Sequence, residues 1–248
     1  MGFNNIDIAA AKTRGLTVTN TPDVLTDDTA DIATTLLADD RPEGAERASV
    51  TSAPSAWTGW RPTHMLGTKV SGKTLGSGRD GPHRKGGREA GPSWIRHAGH
   101  LPRSVSAEAR RGEGARAPKD GTASTRCCGE ADFVSLHCPA TPETRHLINA
   151  DRLKLMKRGA FLINTARGDV VDEAALIAAL KSGTIAGAGL DVYEREPAMA
   201  PELLSMENVA LLPHLGSATT ETRIAMGMRA LENLKLFFAG QPVRDRVV

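Results

Sequence analysis

The chain has 248 residues, enough to bury one or two ordinary cores. Its 31 Lys and Arg nearly balance 29 Asp and Glu, for a net charge of +2. No apolar run reaches the roughly 18 residues a bilayer crossing needs, residues 2–7 lack the charged-then-apolar pattern of a secretory leader, and Ile6 makes Gly2 a poor myristoylation case. The cysteines, Cys127, Cys128 and Cys138, have no metal-ligand spacing and suit a reducing compartment, so a cytoplasmic protein is expected.

In chain order, Ile8 to Thr13 is helix-like and Leu16 to Thr19 reads as a short strand. Asn20-Thr-Pro22 is a turn. Val24 to Leu37 reads as a helix, with Asp27 and Asp28 near its start to suit the helix dipole. Residues 38–56 lose apolar periodicity and read as loop. Trp57, Trp60 and Leu66 restore packing residues before Gly72-Lys-Thr-Leu-Gly76, a strand start.

The stretch from Ser77 to Arg126 is different. It holds 11 Lys and Arg against 5 Asp and Glu, a local charge of +6, while the rest of the chain is −4. It has nine Gly and, of Val, Leu, Ile, Met and Phe, only Ile95, Leu101 and Val105. Such a segment buries too little apolar area to offset its ordering entropy, so taken alone it predicts disorder.

Order resumes at Ala131. Asp132 to His137 is a near-continuous apolar strand, as a buried parallel sheet requires. Asn149 caps a helix starting near Ala150, with Leu153, Leu155 and Met156 apolar, and Gly159 ends it. Ala160 to Asn164 is the next strand. Asp172 opens a helix through Leu180, and Gly183 closes it. Ile185 to Val192 and Val209 to Leu212 are two more strands. Strand–helix–strand at a spacing of about 25 residues implies right-handed crossovers in a parallel sheet. Thr219 to Ala239 is a long closing helix, with Ile224, Met228, Leu231, Leu234 and Phe238 at helical spacing. The expected fold is α/β, a Rossmann-like doubly wound parallel sheet.

Open parallel sheets bind ligands at the C-terminal ends of their strands. Pro139, Arg167, Asp191 and His214 all fall just after strands. Arg167 can hold a carboxylate, Glu196 can tune an imidazole and His214 can move a proton, which is the set that reducing a 2-keto acid requires. Singly, each has a plainer reading: a solvated arginine, a turn glutamate, a loop histidine, an aspartate capping a turn. Arg167, Glu196 and His214 on three loops in that order, 29 and 18 residues apart, favour a shared cleft.

Seven blocks together resemble the D-isomer-specific 2-hydroxyacid dehydrogenases, and within them the glyoxylate/hydroxypyruvate reductases. The blocks are Asn20-Thr-Pro-Asp-Val-Leu-Thr26, Trp57-Thr-Gly-Trp-Arg-Pro62, Gly72-Lys-Thr-Leu-Gly76, Ser135-Leu-His-Cys-Pro139, Asn164-Thr-Ala-Arg-Gly168, Gly189-Leu-Asp-Val-Tyr-Glu-Arg-Glu-Pro197 and Pro213-His-Leu-Gly-Ser217. The resemblance implies that Arg167 binds the substrate carboxylate and keto oxygen. It implies that His214 protonates the keto oxygen, and that Glu196 bonds His214 and raises its pKa. Asp191 is implied to contact the nicotinamide amide. Pro139, Thr165, Ala166, Arg167, His214, Gly216 and Ser217 are implied to line the cofactor, NAD or NADP. Trp57 and Trp60 match packing residues. The implied assembly is a homodimer. Residues 1–22 and 219–248 correspond to a remnant of a flavodoxin-like substrate domain, and 23–218 to the dinucleotide-binding domain.

Two departures from the family stand out. The part of the substrate domain that precedes Gly2 in the family is absent from this sequence. The Gly-x-Gly-x-x-Gly loop expected after Leu75-Gly76 is also absent, and Pro82 is unsuited to the helix that should follow. A one-base shift of reading frame over this stretch restores Val-Gly-Met-Gly-Arg-Ile-Gly, so 77–126 is read as frame-shifted. As written, the sequence predicts an incomplete sheet, with strand 1, the phosphate loop, its helix and strand 2 replaced by basic coil, and a weakly binding protein. The alternative is a non-catalytic remnant whose basic segment binds nucleic acid, although Trp94 is its only aromatic residue.

Overall fold

The computed structural model describes residues 2–3, 5–39, 67–70, 72–78, 103–106 and 127–248. Six strands form one parallel sheet: β1 (Thr74–Gly78), β2 (Arg103–Ser106), β3 (Phe133–Leu136), β4 (Phe161–Asn164), β5 (Gly187–Leu190) and β6 (Val209–Leu211). Their order is β2-β1-β3-β4-β5-β6. Leu75 lies opposite Phe133, Phe133 opposite Phe161, Phe161 opposite Gly187, and Ala188 opposite Val209. Every strand therefore delivers its C-terminal end to the same edge. The order turns back between β1 and β3, the switch point at which such sheets hold ligands.

The core follows from the apolar runs. All four residues of β3, of β4 and of β5 are buried, as strands covered on both faces must be. Phe133 and Phe161 stack across β3 and β4 with ring centroids 5.3 Å apart. β5 is Gly-Ala-Gly-Leu because its neighbours come close: a Cβ on Gly189 would lie 2.9 Å from the Leu36 Cβ.

Six helices accompany the sheet among the described elements, and four of them start where short polar side chains cap them. The six are α1 (Ile8–Thr13), α2 (Thr26–Asp39), α3 (Ala150–Leu155), α4 (Glu173–Lys181), α5 (Pro201–Leu204) and α6 (Thr220–Phe238). Asp7, Asn149, Asp172 and Thr219 each accept a bond from a backbone N–H of the first turn. Gly183, at φ +66, follows the end of α4.

Several expectations need correction. Leu16 to Thr19 is not a strand: Thr19 makes one isolated bridge to Arg246, and Leu16 is exposed. The second helix runs two residues later than expected, Thr26–Asp39. The sheet is not incomplete at its first two strands. β1 is a full five-residue strand paired on both sides, and β2 lies inside the stretch expected to be coil. The reason is tertiary: parallel pairing with β1 gives residues 103–106 backbone partners that no local apolar pattern signals. The rest of 79–126 lies outside the described residues, as do the restored glycine loop and Trp57 and Trp60.

The chain divides into two compact units, residues 1–31 with 215–248, and residues 32–214. The first contains α1 and α6; the second contains the sheet. The Asp31–Ile32 boundary falls within α2.

Candidate active site

Within the 32–214 unit, three loops leave the C-terminal ends of β4, β5 and β6. The β4 loop is built by Asn164, whose side chain is buried at the strand end. Its Oδ1 accepts from the Ala166 N–H at 3.0 Å, and its Nδ2 donates to the Arg167 carbonyl at 2.9 Å. One carboxamide thus closes the Thr165-Ala166-Arg167 turn from both sides. Arg167 is half-buried, and its Nη1 donates to the Ala166 carbonyl at 2.7 Å.

Gly168 follows, and no other residue fits there. A Cβ would lie 1.9 Å from the carbonyl carbon and oxygen of Tyr193. The backbone of the β5 loop therefore lies directly on the β4 loop.

The β5 loop runs from Asp191 to Pro197. Asp191 is 1% exposed, and its N–H donates to the Asn164 carbonyl at 3.0 Å. The Tyr193 hydroxyl donates to the Leu212 carbonyl at 2.8 Å, tying this loop to the end of β6. Burial and the nearby Asp191 carboxylate push the Tyr193 pKa up to about 12, so the phenol keeps its proton at neutral pH.

Glu196 completes the connection. Its Oε1 accepts from the Tyr193 N–H at 3.1 Å, and its Oε2 lies 2.7 Å from His214 Nδ1. The carboxylate selects the tautomer that carries hydrogen on Nδ1 and leaves Nε2 for chemistry. His214 sits at φ +57, a region costly for a non-glycine residue and common where function imposes geometry. Its side chain is 44% exposed, so it can meet a ligand.

The remaining expected residues divide between the units. Thr165 is buried, and its Oγ1 is the one described buried side-chain polar atom with no hydrogen-bond partner. An orphaned hydroxyl at a strand end fits a polar ligand group such as a nicotinamide cofactor presents. Ala166 packs against the core, and Pro139 is exposed, its carbonyl accepting from Thr144 Oγ1 at 2.6 Å. Gly216 and Ser217 belong to the other unit, where the Gly216 carbonyl accepts from Thr29 Oγ1 at 2.7 Å. Among the described residues no His, Cys, Asp and Glu cluster could hold a metal ion.

Known proteins resemble this chain in both sequence and fold. The description "D-isomer specific 2-hydroxyacid dehydrogenase, NAD binding domain" matches residues 105–216. The glyoxylate reductase of Thermococcus litoralis is 46% identical over 248 residues, covering 97% of this chain and 72% of that protein. The chain belongs to the D-isomer-specific 2-hydroxyacid dehydrogenase family. The glyoxylate reductase of Thermococcus kodakarensis is 44% identical over 250 residues, with 97% and 72% covered. Among solved structures, the NADPH-dependent glyoxylate/hydroxypyruvate reductase from Sinorhizobium meliloti, in complex with NADP and malonate, superposes with a TM-score of 0.80. It is 33% identical and covers 100% of this chain and 75% of its own.

Three further residues, His146, Glu194 and Glu173, brace the candidate site, a role that sequence reasoning did not find. His146 Nε2 lies 2.9 Å from Glu194 Oε1. Glu194 and Glu173 form a reciprocal clamp: Glu194 Oε2 accepts from the Glu173 N–H at 3.4 Å, and Glu173 Oε2 accepts from the Glu194 N–H at 3.2 Å. The loop that presents Glu196 is thereby pinned to α4 and to His146, itself at φ +49. The one local hint was Glu173 in the first turn of α4, which reads as a dipole partner.

Proposed function

We propose that this chain reduces a small 2-keto acid, glyoxylate or hydroxypyruvate, to the D-2-hydroxy acid with NADH or NADPH. The observation that carries this reading is the 2.7 Å Glu196–His214 pair joined through Tyr193 and Gly168 to the Arg167 loop. The bound reduced nicotinamide supplies a hydride. Arg167 supplies a planar cationic fork suited to the substrate carboxylate and keto oxygen. His214 delivers a proton from Nε2 to the keto oxygen, while Glu196 on Nδ1 holds the ring and stabilises its cation. Asp191 would hold the nicotinamide amide, and Pro139, Thr165 and Ala166 would line the cofactor; for Gly216 and Ser217 a cofactor-binding role is implied by the family resemblance alone.

On this reading residues 23–218 are the dinucleotide-binding domain, and 1–22 with 219–248 belong to the substrate domain. The compact units, 32–214 and 1–31 with 215–248, support such a division. Cys127, Cys128 and Cys138 are buried and not in disulfides, which suits the cytoplasm. Among the described residues no helix is long and apolar enough to cross a membrane. A homodimer is the implied assembly.

The test is oxidation of NADH and of NADPH by the purified chain, with and without glyoxylate or hydroxypyruvate. Keto-acid-dependent oxidation that disappears in Arg167→Ala is expected. A folded chain that oxidises neither cofactor with either acid overturns the proposal.

A further inference from the structure

Three of the described non-glycine residues hold positive φ, and two of them are histidines, His146 at +49 and His214 at +57. Such backbones persist where surrounding contacts over-determine them. Each of the two rings meets a glutamate of the loop from Asp191 to Pro197. His146 Nε2 lies 2.9 Å from Glu194 Oε1, and His214 Nδ1 lies 2.7 Å from Glu196 Oε2. The second pair belongs to the candidate site. The first takes no step in the proposed reaction.

Glu194 nevertheless occupies a constructed seat, with its side chain 23% exposed. The His146 N–H donates to the Asp169 carbonyl at 2.8 Å and the Ile148 N–H to the Val170 carbonyl at 3.0 Å. The segment carrying His146 is thus fixed to the one that leads into α4. From α4, the Glu173 N–H donates to Glu194 Oε2, and Glu173 Oε2 accepts from the Glu194 N–H. Two carboxylates side by side repel. Here two backbone N–H groups, the His146 ring and the Arg145 guanidinium, 4.0 Å away, offset that repulsion. A carboxylate only accepts, so it also places the His146 hydrogen on Nε2.

The seat controls a peptide group beside the candidate site. The Tyr193–Glu194 peptide rests on Gly168, where a Cβ would clash with both the Tyr193 carbonyl and the Glu194 nitrogen. On the other side of Tyr193, its N–H donates to Glu196 Oε1, and the same carboxylate meets His214. The start of the loop is tied by the Asp191 N–H to Asn164 and by the Tyr193 hydroxyl to Leu212. Among the described bonds, those of Glu194 are the last that tie the loop to another segment before Glu196.

We propose that Glu194 is a positioning residue: seated between His146 and the start of α4, it sets the loop so that Glu196 meets His214 Nδ1 and leaves Nε2 for proton transfer. Its bearing on turnover rests on the proposed keto-acid reduction; its bearing on the His214 ring does not.

Two measurements on the full chain separate these effects. Nitrogen NMR in alkaline solution reads which ring nitrogen carries hydrogen, the His214 signals being those lost in His214→Asn. The wild type should carry it on Nδ1, and Glu194→Ala should give a mixture of both tautomers. Glu194→Ala should also lower kcat about 10- to 100-fold. KM for glyoxylate should change by less than about twofold, because Asn164 closes the Arg167 turn independently. Glu194→Gln can keep both bonds, its carbonyl accepting from the Glu173 N–H and its amide donating to His146 in the other tautomer. It should restore the His214 tautomer and turnover. Lys154→Gln breaks the exposed Lys154–Asp151 pair on α3 and should change neither. If Glu194→Ala loses its near-ultraviolet circular dichroism, His146→Asn tolerates the positive φ, cuts the same bond and should move the ring the same way. A wild-type chain that oxidises neither cofactor overturns the proposed reduction, while the ring still decides the positioning. Hydrogen retained on His214 Nδ1 in both Glu194→Ala and His146→Asn overturns the positioning, as does a loss of turnover that Glu194→Gln fails to restore.

Discussion

Between Phe133 and Leu190 the large apolar residues of β3, β4 and β5 are at most 3% exposed, whereas on α6 six large apolar residues are 42 to 82% exposed. The buried positions of α6 are Thr222 and Asn233. The sheet is held by apolar area removed from water on both faces. Helix α6 and the chain end are held by polar bonds. Arg229 donates to the Asp245 carboxylate through Nε at 2.6 Å and Nη2 at 2.8 Å, and Asn233 Nδ2 donates at 2.7 Å. Asn233 Oδ1 accepts from the Arg244 and Asp245 N–H groups. The contrast separates two uses of an apolar residue. In the sheet it stabilises its own chain; on α6 it stays exposed to solvent.

The contrast is most severely tested where the loops of the candidate site touch. Gly168→Ala forces the Tyr193 backbone away, since the new Cβ would stand 1.9 Å from it. Activity should vanish and stability should fall by at least about 3 kcal/mol, read by urea unfolding. His214→Asn keeps a residue that tolerates positive φ but removes the proposed proton donor. Turnover should drop about 10²- to 10⁴-fold with the melting temperature unchanged. A matched fall in stability would mean that His214 is structural.

Paired truncations sharpen the comparison itself. Leu162, fully buried in β4, should cost about 2–5 kcal/mol on changing to Ala. Leu234→Ala, at 53% exposure, should change monomer stability by under about 0.5 kcal/mol. Equal losses would break the distinction between the two regions. Asn233→Ala leaves buried backbone groups unpaired and should cost about 2 kcal/mol.

The smallest effect is a pH dependence. The Arg229 guanidinium, and then Asn233, hold the Asp245 carboxyl below its ordinary value. A depressed carboxylate stabilises the fold above the unfolded value, near 3.9, and loses that contribution as pH falls through the folded value. Stability followed down from pH 5 should decline, and Asp245→Asn should flatten that decline. An unchanged slope would show that the pair contributes nothing.

Much of this was legible along the chain. β3 to β6 are apolar runs, and Asn149, Asp172 and Thr219 are short polar residues before helical periodicity. Both signals are local. Arg167 and His214 were legible as strand-end residues and Glu196 as a loop residue in family order, and Glu196 and His214 lie 2.7 Å apart. β2 was not legible, because its four residues sit in a basic, glycine-rich stretch and gain their partners from β1. The short strand read at Leu16 to Thr19 reduces to one bridge because only Thr19 reaches Arg246.

By itself the sequence determined the alternation of strands and helices, the caps, and which loops carry charge, because these depend on neighbours a few residues away. Only the tertiary structure decided that Gly168 lies against Tyr193, that Glu194 is clamped by Glu173 and His146, and that the stripe of α6 faces outward. These depend on segments far apart in sequence meeting in space, and apolar periodicity marks a helix face without saying whether the chain's own core or another surface will cover it.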